Sequence, residues 1–172
     1  MTKLDDCLAL ITEQKKQFIE LARQSLDAAY ADIFQRFPQV EALKFVGYTP
    51  YFNDGDECVY SVGSVEAKIN RTTPVDMTCK GYSCQFTITT ETFCPNCGTK
   101  QPTVAERLDI WDGQYSLKNE HPALSEAIKD LSSALSKLDE EVKQIYGDHA
   151  ETVITFVDGA VVTTTGDFSD HE

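Results

Sequence analysis

The chain has 172 residues, 41% of them hydrophobic, with 15 basic and 28 acidic side chains and a formal net charge of -13. Size and hydrophobic share suit one folded domain, alone or with a small insertion. No run of about 18 apolar residues occurs, which excludes a membrane-spanning helix, and the negative field disfavours non-specific binding to phosphate backbones.

The start, Met1-Thr2-Lys3-Leu4-Asp5-Asp6, turns acidic at once and carries no apolar signal core, so a cytoplasmic protein is expected. Residues 3–36 read as one long helix. Leu4, Leu8, Ile11, Phe18, Leu21, Ala22, Ala29 and Ile33 recur near helical spacing, Asp5 and Asp6 suit the N-terminal dipole, and Pro38 stops it. Lys15 interrupts the stripe and is expected to reach out to solvent.

Between residues 40 and 67 the period changes. Leu43, Phe45 and Val46 begin a strand that runs through Gly47-Tyr48-Thr49-Pro50-Tyr51-Phe52. Asn53-Asp54-Gly55-Asp56 is a hairpin signal, because Asp-Gly tolerates the positive φ of a tight turn, and Cys58-Val59-Tyr60-Ser61-Val62 is the return strand. Pro50 lacks an N–H donor, so this strand is an edge or is interrupted there.

Residues 85–93 alternate and are rich in threonine, which indicates strand. Residues 105–118 read as a second short hairpin or an ordered loop, with Trp111, the only tryptophan, as a core anchor. Residues 121–146 carry a heptad seam: Leu124, Ile128, Leu131, Leu135, Leu138, Val142 and Ile145. Pro122 and Gly147 mark its ends. The seam can pair two copies of the protein or pack on the first helix, and the second reading is favoured because two long helices in a small domain normally bury each other. Residues 152–165 form a further hairpin turning at Asp158-Gly159, followed by a polar tail.

Four of the six cysteines, Cys79, Cys84, Cys94 and Cys97, are spaced C-x4-C-x9-C-x2-C. The second pair lies in Cys94-Pro95-Asn96-Cys97-Gly98, a CPxCG knuckle. Thiolate is a soft ligand, and two such pairs can close a tetrahedral Zn²⁺ site with no open position. A structural zinc is the reading, within a ribbon inserted at residues 76–102 whose polar strands need the metal to hold them. Disulfide pairing is the main alternative. A redox dithiol at Cys94 and Cys97 lacks the helix N-terminus that would lower its pKa, and a catalytic zinc lacks a nearby histidine. Cys7 and Cys58, each alone, are expected to be buried apolar thiols.

Other candidates point less sharply. Asp54, Asp56 and Glu57 could hold Mg²⁺ or Ca²⁺, but a solvated turn explains them more simply. Tyr48, Tyr51, Phe52 and Tyr60 could stack on bases, but packing across paired strands is the simpler account. Lys68, Arg71, Lys80 and Lys100 flank the ribbon and could supply the basic patch of a zinc-ribbon nucleic-acid binder. There is no G-x-S-x-G elbow, P-loop or dinucleotide fingerprint, so no enzyme is read here. A concave cluster of Tyr60, Asp148 and His149 would argue otherwise.

The run Gly47-Tyr48-Thr49-Pro50-Tyr51-Phe52-Asn53-Asp54-Gly55-Asp56-Glu57-Cys58 resembles a motif, YTPYFNDGD, of poorly characterised proteins of bacteriophages and their bacterial hosts. The long helix before it and the C-terminal hairpin with its acidic tail, Ser169-Asp170-His171-Glu172, resemble that family's context. The resemblance covers residues 30–67 and 145–172 and implies a small phage-encoded protein acting in the host cytoplasm by binding a host machine.

The expected fold is α+β, a single domain over residues 1–172, with two long helices on an antiparallel sheet built of hairpins. The expected function is an acidic interaction protein, monomer or homodimer, that meets a basic surface on a host protein such as a nucleic-acid enzyme or defence factor. Asp139, Glu140, Glu141, Asp148 and Glu151 cluster around the second helix end and are the expected contact charges.

Overall fold

The computed structural model describes residues 3–51, 57–74, 76–88 and 92–168. In chain order they form helix α1 (Lys3–Arg36), strands β1 (Val40–Tyr48), β2 (Ser61–Val62) and β3 (Glu66–Ile69), and the short pair β4 (Met77–Thr78) and β5 (Thr87–Ile88). Helix α2 (Val104–Leu108), strand β6 (Trp111–Asp112) and helices α3 (Gln114–Glu120), α4 (Pro122–Lys137) and α5 (Asp139–Tyr146) follow, then the hairpin β7 (Ala150–Val157) and β8 (Ala160–Asp167). The fold is α+β.

The main sheet runs β6-β3-β1-β7-β8, with β2 also on β1, and every pairing is antiparallel. β1 is its centre. Leu43 sits between Ala67 of β3 and Ile154 of β7, and this face packs against Tyr30, Ile33 and Phe34 of α1, Leu124, Ile128, Leu131 and Leu135 of α4, and Val142 of α5. Two aromatic contacts lock the layers: Phe34 stacks on Phe156 at 5.6 Å and Phe45 meets the edge of Tyr146 at 5.5 Å. On the opposite face Lys44 bridges Glu66 and Glu151, and its ammonium lies over the Trp111 ring.

The heptad seam of residues 121–146 is spent inside the molecule. Leu124, Ile128, Leu131, Leu135 and Val142 are buried, and Leu138 and Ile145 pack against the same core. The helix breaks at Leu138, where α5 starts afresh with Asp139, Glu140 and Glu141 on its positive end. The C-terminal hairpin turns at Asp158 and Gly159, both at positive φ, the geometry that a two-residue type I′ turn requires.

Helix α1 follows a different rule along its length. Only Ala22, Leu26, Tyr30, Ile33 and Phe34 are buried. A helix of 34 residues is about 51 Å long, whereas a nine-residue strand spans about 30 Å, so α1 overhangs the sheet. Its N-terminal apolar residues are not buried by α4 as the expected mutual packing of two long helices would require.

Four further expectations change. Residues 105–118 are not a local hairpin. Thr103 and Glu106 form a reciprocal capping box that starts α2, and β6 pairs with β3 instead. Trp111 therefore lies half-buried on an edge strand rather than in the core. The strand expected to return at residues 58–62 pairs only at Ser61 and Val62, and its turn at residues 53–56 lies outside the described residues. Cys7 and Cys58 are exposed, not buried, because Cys7 lies on the overhang of α1 and Cys58 precedes the paired residues.

Candidate metal centre

The ribbon enters between β3 and β6, so both of its ends are anchored by one strand pairing of the main sheet. Its first turn is closed by β4 on β5, by the Cys79 N–H to Phe86 O bond of 2.9 Å and by the Cys84 N–H to Gly81 O bond of 3.0 Å. Its second turn is closed by Gly98 N–H to Cys94 O at 2.8 Å and Cys94 N–H to Thr99 O at 2.9 Å. Gly98 holds φ at 69°, the left-handed region that a glycine adopts without strain.

The two turns bring the four sulfurs together. Cys79 Sγ and Cys97 Sγ are 3.4 Å apart, Cys84 Sγ and Cys94 Sγ are 3.7 Å apart, and all four lie within 4.8 Å of one another. A disulfide needs about 2.05 Å, so these pairs are not bonded. A tetrahedron of sulfurs at about 2.3 Å from one ion has edges of about 3.8 Å, which matches the observed pairs. Cys79, Cys84 and Cys94 are 6%, 9% and 1% exposed, and Cys97 is on the outside. They form a small buried cluster separate from the main core.

Donors converge on the sulfurs, as thiolate ligands require. Gly81 N–H donates to Cys79 Sγ at 3.2 Å, the Asn96 amide to Cys84 Sγ at 3.5 Å, and the Gln101 amide to Cys79 Sγ at 3.2 Å. The Thr99 hydroxyl stands 3.2 Å from Cys97 Sγ. As thiols, Cys79, Cys84 and Cys97 differ. The Thr99 hydroxyl and N–H hold Cys97 down to about 6, and the Asn96 amide with the Phe86 N–H lowers Cys84. Burial pushes Cys79 up to about 12 despite the Gly81 N–H. A divalent cation in their midst would favour the thiolate at all four.

Three residues of this site, Thr99, Gln101 and Gly81, escaped the sequence reading. Gln101, 2% exposed, ties the turns together: its amide donates to Cys79 Sγ and to Thr99 O at 2.7 Å, while its Oε1 accepts from Lys80 N–H at 3.2 Å. A single glutamine downstream of a knuckle has no periodic signature. Gly81 has a steric role: a Cβ there would fall 2.6 Å from Cys97 Sγ and 2.8 Å from Thr99 Oγ1. Its place inside the first Cys pair was the available signal.

The other candidate residues are scattered or already paired. Asp148 accepts from Thr49 N–H and Thr49 Oγ1 at 2.9 and 2.8 Å and pairs with Lys143 at 2.9 Å. Burial pushes its carboxyl up, but Lys143, Thr49 and the His149 N–H together bring it down to about 2. Glu151 pairs with Lys44 on the sheet, and burial raises Asp139 against a hydrogen bond from Val62 N–H. Of the five expected contact charges, Glu140 and Glu141 remain on the rim of a groove between α1 and α5. Of the four flanking basic residues, Lys68 pairs with Asp109 and Arg71 with Asp112 and Glu120, whereas Lys80 and Lys100 line one groove together with Glu106.

Among the described residues, Tyr48, Tyr51 and Tyr60 do not form one platform. Tyr60 is buried beside Gly47, Tyr51 stacks on His149 at 4.4 Å, and Tyr48 leans on Phe168 at 5.9 Å. His149 Nε2 is 3.8 Å from Asp148, too long for a hydrogen bond, so Tyr60, Asp148 and His149 are neighbours without a relay. Phe52, Asp54, Asp56 and the tail from Ser169 lie outside the described residues, and Glu57 is exposed. Among the described residues no helix is long and apolar enough to cross a membrane. No family model, curated protein or solved structure matches the chain.

Proposed function

We propose that the protein is an acidic interaction module whose ribbon is held by a structural Zn²⁺ and whose negative side meets a basic surface on a partner protein. The observation that carries the reading is the donor set: four sulfurs gathered within 4.8 Å of one another, with amide donors on Cys79 and Cys84. Such a site takes up the soft divalent ion and leaves no position for a substrate. Its contribution is to folding, because the ribbon's strands are two residues long and bury little else.

The partner side of the proposal rests on charge. A formal charge of -13 steers the molecule toward basic surfaces, and Glu140 and Glu141 stand at the positive end of α5 free of the ion pairs that occupy Asp148 and Glu151. The resemblance of residues 47–58 supports a phage-encoded protein with a host protein as its partner, in the host cytoplasm. Pairing of Lys68 and Arg71 with carboxylates counts against the nucleic-acid alternative.

The test has two arms. Elemental analysis of the purified protein gives one zinc per chain. Affinity capture at two salt concentrations then yields a partner that is lost at the higher one and is captured more weakly by Glu140→Lys/Glu141→Lys. Absence of bound metal ends the first half of the reading, and salt-insensitive capture ends the second.

A further inference from the structure

The overhang of α1 carries an unaccompanied apolar surface. Leu4, Leu8, Leu10, Ile11, Phe18 and Leu21 are exposed, from 49% at Ile11 to 66% at Leu4. Leu4, Leu8, Ile11 and Phe18 fall with Lys15 on a repeat of four and three residues that runs on into Ala22, which is buried. The stripe is the core-facing side of α1, prolonged past the end of the body. Its members Ile11, Lys15 and Phe18 line an open groove of about 540 Å³ that separates α1 from Glu140, Glu141 and Gln144 of α5.

We propose that residues 3–21 of α1 pair with the same segment of a second copy, running antiparallel. Area supports a specific contact. Each of these six side chains leaves on the order of 100 Å² uncovered; the four on the repeat account for roughly 800 Å² across two facing copies, and the flanking Leu10 and Leu21 bring the total to roughly 1,200 Å², the lower end of what a stable interface uses. A monomer rarely leaves so continuous an apolar strip in solvent.

Charge selects the occupant and the direction. Along residues 3–14, Asp5, Asp6 and Glu13 outweigh Lys3; along residues 15–24, Lys15, Lys16 and Arg23 outweigh Glu20. Antiparallel pairing lays the negative stretch of one copy on the positive stretch of the other, twice over by symmetry. Parallel pairing sets like against like and stacks Lys15, a member of the stripe itself, on its own copy. In the antiparallel layer the Lys15 stem covers the apolar end of the partner helix while its ammonium reaches the acidic turn.

The metal-loaded full chain decides the matter by sedimentation over a concentration series up to about 100 μM. A reversible dimer is expected. Phe18→Glu and Leu8→Glu each raise its dissociation constant at least about 30-fold, with unchanged far-UV circular dichroism. Leu8 lies farther out on the overhang than Phe18, so its variant keeps the test valid if Phe18→Glu disturbs the fold. Asp5→Lys/Asp6→Lys and Lys15→Glu/Lys16→Glu each weaken association, and the two sets combined restore it. A chain that stays monomeric throughout, or a dimer that tolerates both glutamates, overturns the proposal. Combined charge reversals that bind more weakly than either set alone overturn the antiparallel sense.

Discussion

Gly81→Ala isolates the steric demand of the metal centre. The new methyl would sit 2.6 Å from Cys97 Sγ, 2.8 Å from Thr99 Oγ1 and 3.3 Å from Cys79 Sγ. Non-bonded contact begins near about 3.5 Å, so Cys97 Sγ must retreat by about 1 Å. Metal–sulfur distances tolerate about 0.2 Å, so that retreat removes one ligand of four. Zinc binding to small four-ligand sites amounts to about 10–16 kcal/mol in total, so a quarter of it is about 2.5–4 kcal/mol, or about 100- to 1,000-fold in affinity. Competition against a chromogenic chelator measures this directly, and the Co²⁺-substituted protein reports the missing thiolate by weaker sulfur-to-metal charge transfer. Gly113→Ala is the control, since a Cβ there meets nothing within 4 Å. Gly98→Ala, equally unobstructed but at φ 69°, carries only backbone strain of about 1 kcal/mol. If Gly81→Ala binds metal within about threefold of the natural chain, the cluster is not held at coordination distance and the steric reasoning fails.

Chelation should melt the ribbon and spare the body, because the cysteine cluster and the main core share no buried residue. Proteolysis is then expected to cut within residues 76–102 while helical circular dichroism persists; loss of helix on chelation would contradict this. Gln101→Leu removes the amide that joins Cys79 Sγ, Thr99 O and Lys80 N–H, and is expected to lower metal affinity by about 10–100-fold. Asp148 is held down to about 2, so its contribution is complete above the ordinary carboxylate value and fades as pH falls from about 4 toward 2. After solvent screening it amounts to about 1 kcal/mol, and Asp148→Asn should cost that at pH 7 and only a fraction of it at pH 2 in urea titrations. Leu135→Ala, at a fully buried seam position, should cost about 2–5 kcal/mol by the same method, and a value below about 1 would mean that the seam is not in the core.

Local chemistry was legible in the chain itself. The CPxCG knuckle and its distant partner pair identify the sulfurs that meet, because ligand type and short spacing constrain geometry within a few residues. Helix α1 announces both its ends, since proline and dipole act locally, and Asp158-Gly159 announces its turn through the positive φ that it tolerates. The seam of α4 and α5 gives its buried face but not its partner, because periodicity reports that a face is covered and is silent about what covers it.

Everything that depends on lengths and long-range partners waited for the tertiary structure. Only there does α1 prove longer than the sheet that it packs on, so one apolar stripe is core at Leu26 and surface at Leu8. Trp111 takes its place from β3, more than forty residues upstream in the chain, and Asp148 loses its freedom to Thr49 and Lys143. Gln101 and Gly81 became part of the metal centre only when two turns closed on each other. A residue's type sets the contacts it can make, whereas burial and charge pairing depend on neighbours that the folded chain brings from far away.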